Sequence, residues 1–170
     1  ALSAIGDDAL GKEIISSLEE KKLNYLIKTT AFPTGTVQVT LSGEGIPQYE
    51  ICENVAWDNI PFTEHTENLA KQCVAVCFGS LAQRSKMSRE TIRRFLYSTP
   101  GNCLKIFDIN LRQHFYSRAV IEESLAVANI LKINEDEIKT IGGMFHLSDE
   151  GKGNLQAPAP PFRSPSGCFD

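Results

Sequence analysis

Three successive apolar runs with strand character each end in a cluster of polar residues, and few folds accommodate that pattern. Residues 74–78 run into Gly79-Ser80, residues 104–107 into Asp108-Ile109-Asn110-Leu111-Arg112, and residues 130–133 into Asn134-Glu135-Asp136-Glu137. The intervening segments have helical periodicity, which predicts parallel strands joined by helical crossovers. The three clusters then share the carboxyl edge of a sheet, where open parallel sheets bind ligands.

The 170 residues amount to one domain of chain. A net charge of −4 argues against nucleic acid or an anionic membrane as a partner. No apolar run is long enough to span a bilayer, and the first residues lack a signal layout, so the expected location is the cytoplasm. The five cysteines lack paired spacing for a metal, and His65, His114 and His146 are scattered. Buried, reduced thiols at Cys52, Cys73, Cys77 and Cys103 are expected; Cys168 lies in the tail.

The start, Ala1-Leu2-Ser3-Ala4-Ile5, reads as the end of a strand, which predicts that sequence precedes it. A turn at Gly6-Asp7-Asp8 leads into a helix with Leu10, Ile14 and Leu18 on one face and an aspartate at the cap. Gly6 to Lys12 nearly fits a phosphate-binding loop, but Glu13 replaces the hydroxyl residue and two aspartates would repel phosphate, so a capped turn is the better reading.

From Thr29 to Ile60 the period becomes strand-like. Residues 36–41 alternate apolar with polar, Ser42-Gly43-Glu44-Gly45 makes a hairpin turn, and residues 47–51 return as an edge strand. This is an antiparallel excursion from an α/β core, suited to a flap over a site. A helix over 63–71, a buried strand over 74–78, a helix capped by Ser88, a strand over 104–109, a helix over 117–128, a strand over 130–133 and a helix from Glu135 follow. The domain is expected to run to about residue 148. Residues 149–170 hold four of the eight prolines without periodicity and should be disordered.

Two constellations carry the chemistry. Asp108-x-Asn110-x-Arg112 places alternate polar side chains on one side of the chain as it leaves a strand. Arg112 could clamp a phosphate or carboxylate, or pair structurally with Asp108. Asn134-x-x-Glu137 sits where a strand meets a helix and fits both an ordinary capping box and a pair that organises magnesium and its waters.

These residues, in order, resemble the ribokinase-like, phosphofructokinase-B-type sugar kinases, with the nearest likeness to bacterial fructokinases. The likeness rests on Ile5-Gly6-x-Asp8-x-x-Gly11, Pro33-Thr34-Gly35-Thr36-Val37-Gln38-Val39, Gly45-x-Pro47-x-Tyr49, Val55-Ala56-Trp57-Asp58-Asn59-Ile60, Phe78-Gly79-Ser80-Leu81-Ala82-Gln83, Phe107-Asp108-Ile109-Asn110-Leu111-Arg112 and Lys132-Ile133-Asn134-x-x-Glu137. It runs from Ala1 to about Ser148.

The resemblance implies a Rossmann-like parallel sheet flanked by helices, with residues 29–60 as an inserted β lid. It implies phosphoryl transfer from ATP to a sugar hydroxyl with magnesium, and a homodimer formed through the lid. Asn134 and Glu137 would act on the phosphates and, through water, on the metal. Arg112 would stand at the mouth of the site, with Ser80, Asn110 and Arg112 as substrate contacts. The family's N-terminal sugar-binding motif and its late Gly-Ala-Gly-Asp motif, whose aspartate is the general base, are not in this sequence. The chain thus resembles a truncated, central part of such an enzyme, and these 170 residues alone should not turn over fructose. A kinase for 2-keto-3-deoxygluconate or another small sugar is the alternative within the class. A non-catalytic chain associating through its lid strands is the alternative outside it.

Overall fold

A computed structural model describes residues 1–146, and the Pro-rich segment expected to be disordered lies outside the described residues. In chain order the elements are β1 (Leu2–Gly6), α1 (Ala9–Glu20), β2 (Leu26–Thr30), β3 (Val37–Leu41), β4 (Pro47–Ile51), α2 (Glu64–Lys71), β5 (Ala75–Gly79), α3 (Lys86–Ser98), β6 (Leu104–Asp108), α4 (Arg118–Val127), β7 (Ile130–Lys132) and α5 (Glu135–Phe145). Short 3-10 turns occupy Ala56–Asn59 and Leu81–Gln83.

Strands β5, β6 and β7 form a parallel ladder in sequential order. Gly79, Asp108 and Lys132 stand level at its carboxyl edge. Strands β1 and β2 form a second parallel ladder, Leu2 opposite Leu26 through Gly6 opposite Thr30. The expected α/β core is therefore present, with its described strands in two ladders. The 3-10 turn Ala56–Asn59 lies against β1, where Ala56 and the following Ile60 pack with Ala4 and Leu2. Strand β2 was not foreseen. Only its first two residues are apolar, it borders one neighbour, and four of its five residues are half-buried, so it lacks the unbroken apolar run that marks an inner strand. The hairpin proper is therefore β3–β4, shorter than the expected 29–60 lid.

The principal core joins Phe78, Phe107, Ile109, Leu96, Ile121 and Ile141 on the face covered by helices. Phe78 and Phe107 stack with ring centroids 5.2 Å apart. Complete burial of a side chain such as Phe107 contributes about 1.5–3 kcal/mol. Alternate residues on the other face, among them Cys77, Leu104 and Ile130, are exposed. The expectation of buried strands and thiols thus holds on one face only. Cys103 is buried, Cys52 and Cys73 are intermediate, and Cys77 is open to solvent.

Ser88 does not cap α3, which starts at Lys86 after Ser85. Fully buried within the helix, Ser88 donates to Trp57 O at 2.8 Å and accepts from Ile60 N at 2.9 Å, fastening α3 to the 3-10 turn. A serine that could satisfy a helix end instead satisfies a neighbouring segment 28 residues away.

The lid stands away from this body. Val37 faces Ile51, Val39 faces Tyr49 and Leu41 faces Pro47 in an antiparallel ladder. Val37, Val39, Leu41 and Tyr49 are all at least half exposed.

Candidate active site

The carboxyl edge of β5–β6–β7 is held together by its own polar residues. Ser80, read as a substrate contact, is 1% exposed and donates its hydroxyl to Ile109 O at 2.6 Å. That bond ties the end of β5 to the end of β6 and uses the hydroxyl's one proton. Asp108 takes Lys132 Nζ at 2.7 Å, and this bond raises the lysine pKa above its ordinary value. The Asp108–Arg112 pair weighed as a structural alternative does not form.

Arg112 is left exposed, and among the described residues the only partner of its guanidinium is Leu111 O, at 3.2 Å from Nη1. With no carboxylate on it, its planar fork remains available to an anion. Asn110, two residues earlier, adopts a left-handed backbone (φ 37°) and is exposed. It lines a hollow of about 230 Å³ with Trp57, Gly79, Leu81 and Ala82.

Asn134 and Glu137 form the reciprocal cap of α5. Asn134 Oδ1 accepts from Glu137 N at 2.9 Å, and Glu137 Oε2 accepts from Asn134 N at 3.0 Å. Glu137 Oε1 also accepts from Leu111 N at 2.9 Å. The glutamate thus joins the start of α5 to the loop that carries Arg112. Both its oxygens face backbone amides, and it is 8% exposed. Each oxygen keeps one lone pair. That suits contact with a hydrated cation through water and not direct ligation. Among the described residues, no group of three or more His, Cys, Asp or Glu side chains could hold a metal.

Two long-range pairings escaped the sequence reading. In the first, Arg84 grips Asp58 side-on, with Nε–Oδ1 and Nη2–Oδ2 both 2.8 Å, and Nη2 donates to Cys52 O at 2.5 Å. Its guanidinium carbon lies 4.1 Å from the Trp57 ring centroid and 4.5 Å from that of Phe115. Asp58, Arg84 and Phe115 border a cleft of about 590 Å³ that also includes Asn54, Asn59 and His114. In the second, Asp8 caps α1 through Gly11 N at 2.8 Å and accepts from both the amide (2.8 Å) and the hydroxyl (2.7 Å) of Thr34. The Thr34 and Gly11 amides and the Thr34 hydroxyl hold the Asp8 carboxyl below its ordinary pKa. This bears out the capped turn over a phosphate loop. Asp58 and Arg84 are 26 residues apart, as are Asp8 and Thr34, and no local period signals such pairs.

The fold and this edge define a class: an α/β domain with parallel strands and an antiparallel hairpin inserted between them in the chain. The description "pfkB family carbohydrate kinase" matches residues 1–157, and the chain belongs to that family. It is 28% identical, over 178 residues, to a sugar kinase sequence of Pyrococcus horikoshii, covering 98% of this chain and 54% of that one. The solved structure of that uncharacterized kinase in complex with ATP has a TM-score of 0.72 and 28% identity, over 84% of this chain and 49% of the other. A fructokinase of Xylella fastidiosa has a TM-score of 0.74 at 14% identity, over 85% and 47%, and so shares the fold. The chain spans about half the length of these relatives. No described helix is long and apolar enough to cross a membrane.

Proposed function

We propose that this chain supplies the lid and part of the catalytic edge for phosphoryl transfer from ATP to a sugar hydroxyl, with fructose as the preferred acceptor. The observation that carries this reading is the open Arg112 at an α/β edge where Asp108 is paired with Lys132 and Glu137 is held by backbone amides. Phosphoryl transfer depends on neutralising and aligning charge more than on covalent chemistry, and a guanidinium free at the site mouth can meet that charge. The ATP-bound relative supports ATP as the donor. The ordered motifs from Ile5 to Glu137, which resemble those of fructokinases, support fructose; 2-keto-3-deoxygluconate and other small sugars are the competitors.

Asn110 and the lid would orient the acceptor while Arg112 meets the transferred phosphoryl group. Glu137 would meet magnesium through water, and the metal would supply charge neutralisation at the phosphates. Asn134 keeps that carboxylate aimed through the reciprocal cap. The proton acceptor would be the aspartate of the family's Gly-Ala-Gly-Asp segment, which this sequence does not contain. The test is ADP release with Mg·ATP and a panel of sugars, by the chain alone and by a polypeptide extended to include that segment. We expect no turnover from the former and fructose-dependent turnover from the latter. An extended protein that releases ADP at the same rate without any sugar would overturn the reading. Free thiols at four described cysteines fit a reducing cytoplasm.

The exposed Val37, Val39, Leu41 and Tyr49 face supports a homodimer through the lid, which would also serve a non-catalytic chain. Sedimentation of wild type against Val39→Lys separates dimer from monomer.

A further inference from the structure

Gln113 Nε2 donates to Tyr49 O at 2.6 Å, across 64 residues of sequence. The bonds Cys52 N to Thr36 O and Ser42 N to Ile46 O bracket the lid ladder. Hydrogen-bonded pairs alternate along an antiparallel ladder, so the intervening Val39–Tyr49 pair is a non-bonded one. The Tyr49 carbonyl therefore points outward from the free edge of β4. The Gln113 carboxamide docks there as the peptide group of a further strand would.

The lid is otherwise held at two root points, residues 33–34, where Ala56 N also donates to Pro33 O and Gly6 N to the Thr34 hydroxyl, and Cys52. Thr34 is fixed by Asp8, and the Cys52 carbonyl by Arg84. Among the described residues, Gln113 is the only core side chain that hydrogen-bonds to the lid strands themselves. Two such points leave a hairpin free to tilt about the line between them, and a third, off that line, removes the freedom. The third tie comes from the residue next to Arg112. The loop that bears both is compact: Asn110 and Gln113 are left-handed, Phe115 N donates to Arg112 O at 3.0 Å, and Glu137 holds Leu111 N.

We propose that Gln113 is a positioning residue that sets the tilt of the lid relative to Arg112. Its consequence for sugar binding rests on the kinase reading, whereas its effect on the lid does not. The test is ¹⁵N relaxation of the Gln38, Thr40 and Glu50 amides in the chain itself. In the wild type their order parameters should match the core, near about 0.85, and in Gln113→Gly they should fall below about 0.6. Glycine suits the φ of 48° at this position, so that variant retains its melting temperature while losing the tie. Gln113→Glu keeps the shape but offers only acceptors to the Tyr49 carbonyl, and should loosen the lid equally. In the extended polypeptide either variant should raise the sugar KM about 2- to 10-fold, the span expected for one net hydrogen bond. Lid order unchanged in both variants overturns the inference whatever the activity. A loosened lid without sugar turnover supports the inference and counts against the kinase reading alone.

Discussion

Asp58→Ala should be among the most damaging single substitutions away from the apolar core. The two side chains of the Asp58–Arg84 pair are only 5% and 6% exposed. Asp58 meets two guanidinium nitrogens at 2.8 Å and also accepts from Val55 N at 3.3 Å. Its removal leaves a buried cation with one carbonyl partner, two aromatic faces, and an Nη1 that already has no hydrogen-bond partner among the described residues. Breaking a buried pair on one side costs about 3–5 kcal/mol. A domain has about 5–15 kcal/mol of stability in total, so the variant should fold but unfold at much lower urea. Trp57, the only tryptophan, lies against Arg84 and reports the transition by fluorescence. Arg118→Ala provides the control, because its bond to Glu122 is about half exposed and should be worth at most about 1 kcal/mol. The double variant Asp58→Leu/Arg84→Met should recover most of the loss, since no charge is then stranded. A loss below about 1 kcal/mol for Asp58→Ala, or a double variant less stable than both singles, would refute this account of the pair.

Ser80→Ala should lower stability by about 1–3 kcal/mol in urea titration, because Ile109 O loses its buried donor; an unchanged midpoint would show that water replaces the hydroxyl. Gly35→Ala places a Cβ on the Trp57 indole nitrogen, so about 1–3 kcal/mol of overpacking and a shifted Trp57 emission are expected, and an unaltered spectrum contradicts the contact. The lowered Asp8 pKa means that its contribution is present above the unfolded value of about 4 and is lost as pH falls through the lower folded value. Asp8→Asn should therefore flatten the acid limb of a Tm-against-pH curve below about pH 4, and an acid limb identical to that of the wild type would remove Asp8 as its source.

Periodicity made the parallel strands and their polar ends legible because the runs at 74–78, 104–107 and 130–133 are short, apolar and bounded by polar clusters, although only part of each run is covered: Phe78 and Phe107 are buried while Val74, Leu104 and Ile130 are exposed. The alternation at 36–41 and 47–51 likewise located the hairpin to within a residue. Strand β2 was hidden because an edge strand with four half-buried residues leaves little hydrophobic signature. At the site, spacing alone left Arg112 either paired with Asp108 or open. The answer came from Lys132, which reaches Asp108 only once β6 and β7 align. The same limit hid the Asp58–Arg84 and Asp8–Thr34 pairs, whose partners meet through folding and not through any local period.

The most direct measurement is the turnover of the extended polypeptide with Mg·ATP and fructose, compared between wild type and Arg112→Ala. A guanidinium that meets charge only as the phosphoryl group transfers should contribute about 10²–10³-fold to kcat and little to the fructose KM. A kcat reduced by that factor is the predicted result. A kcat that does not change when Arg112 is removed would contradict the placement of the reaction at this edge.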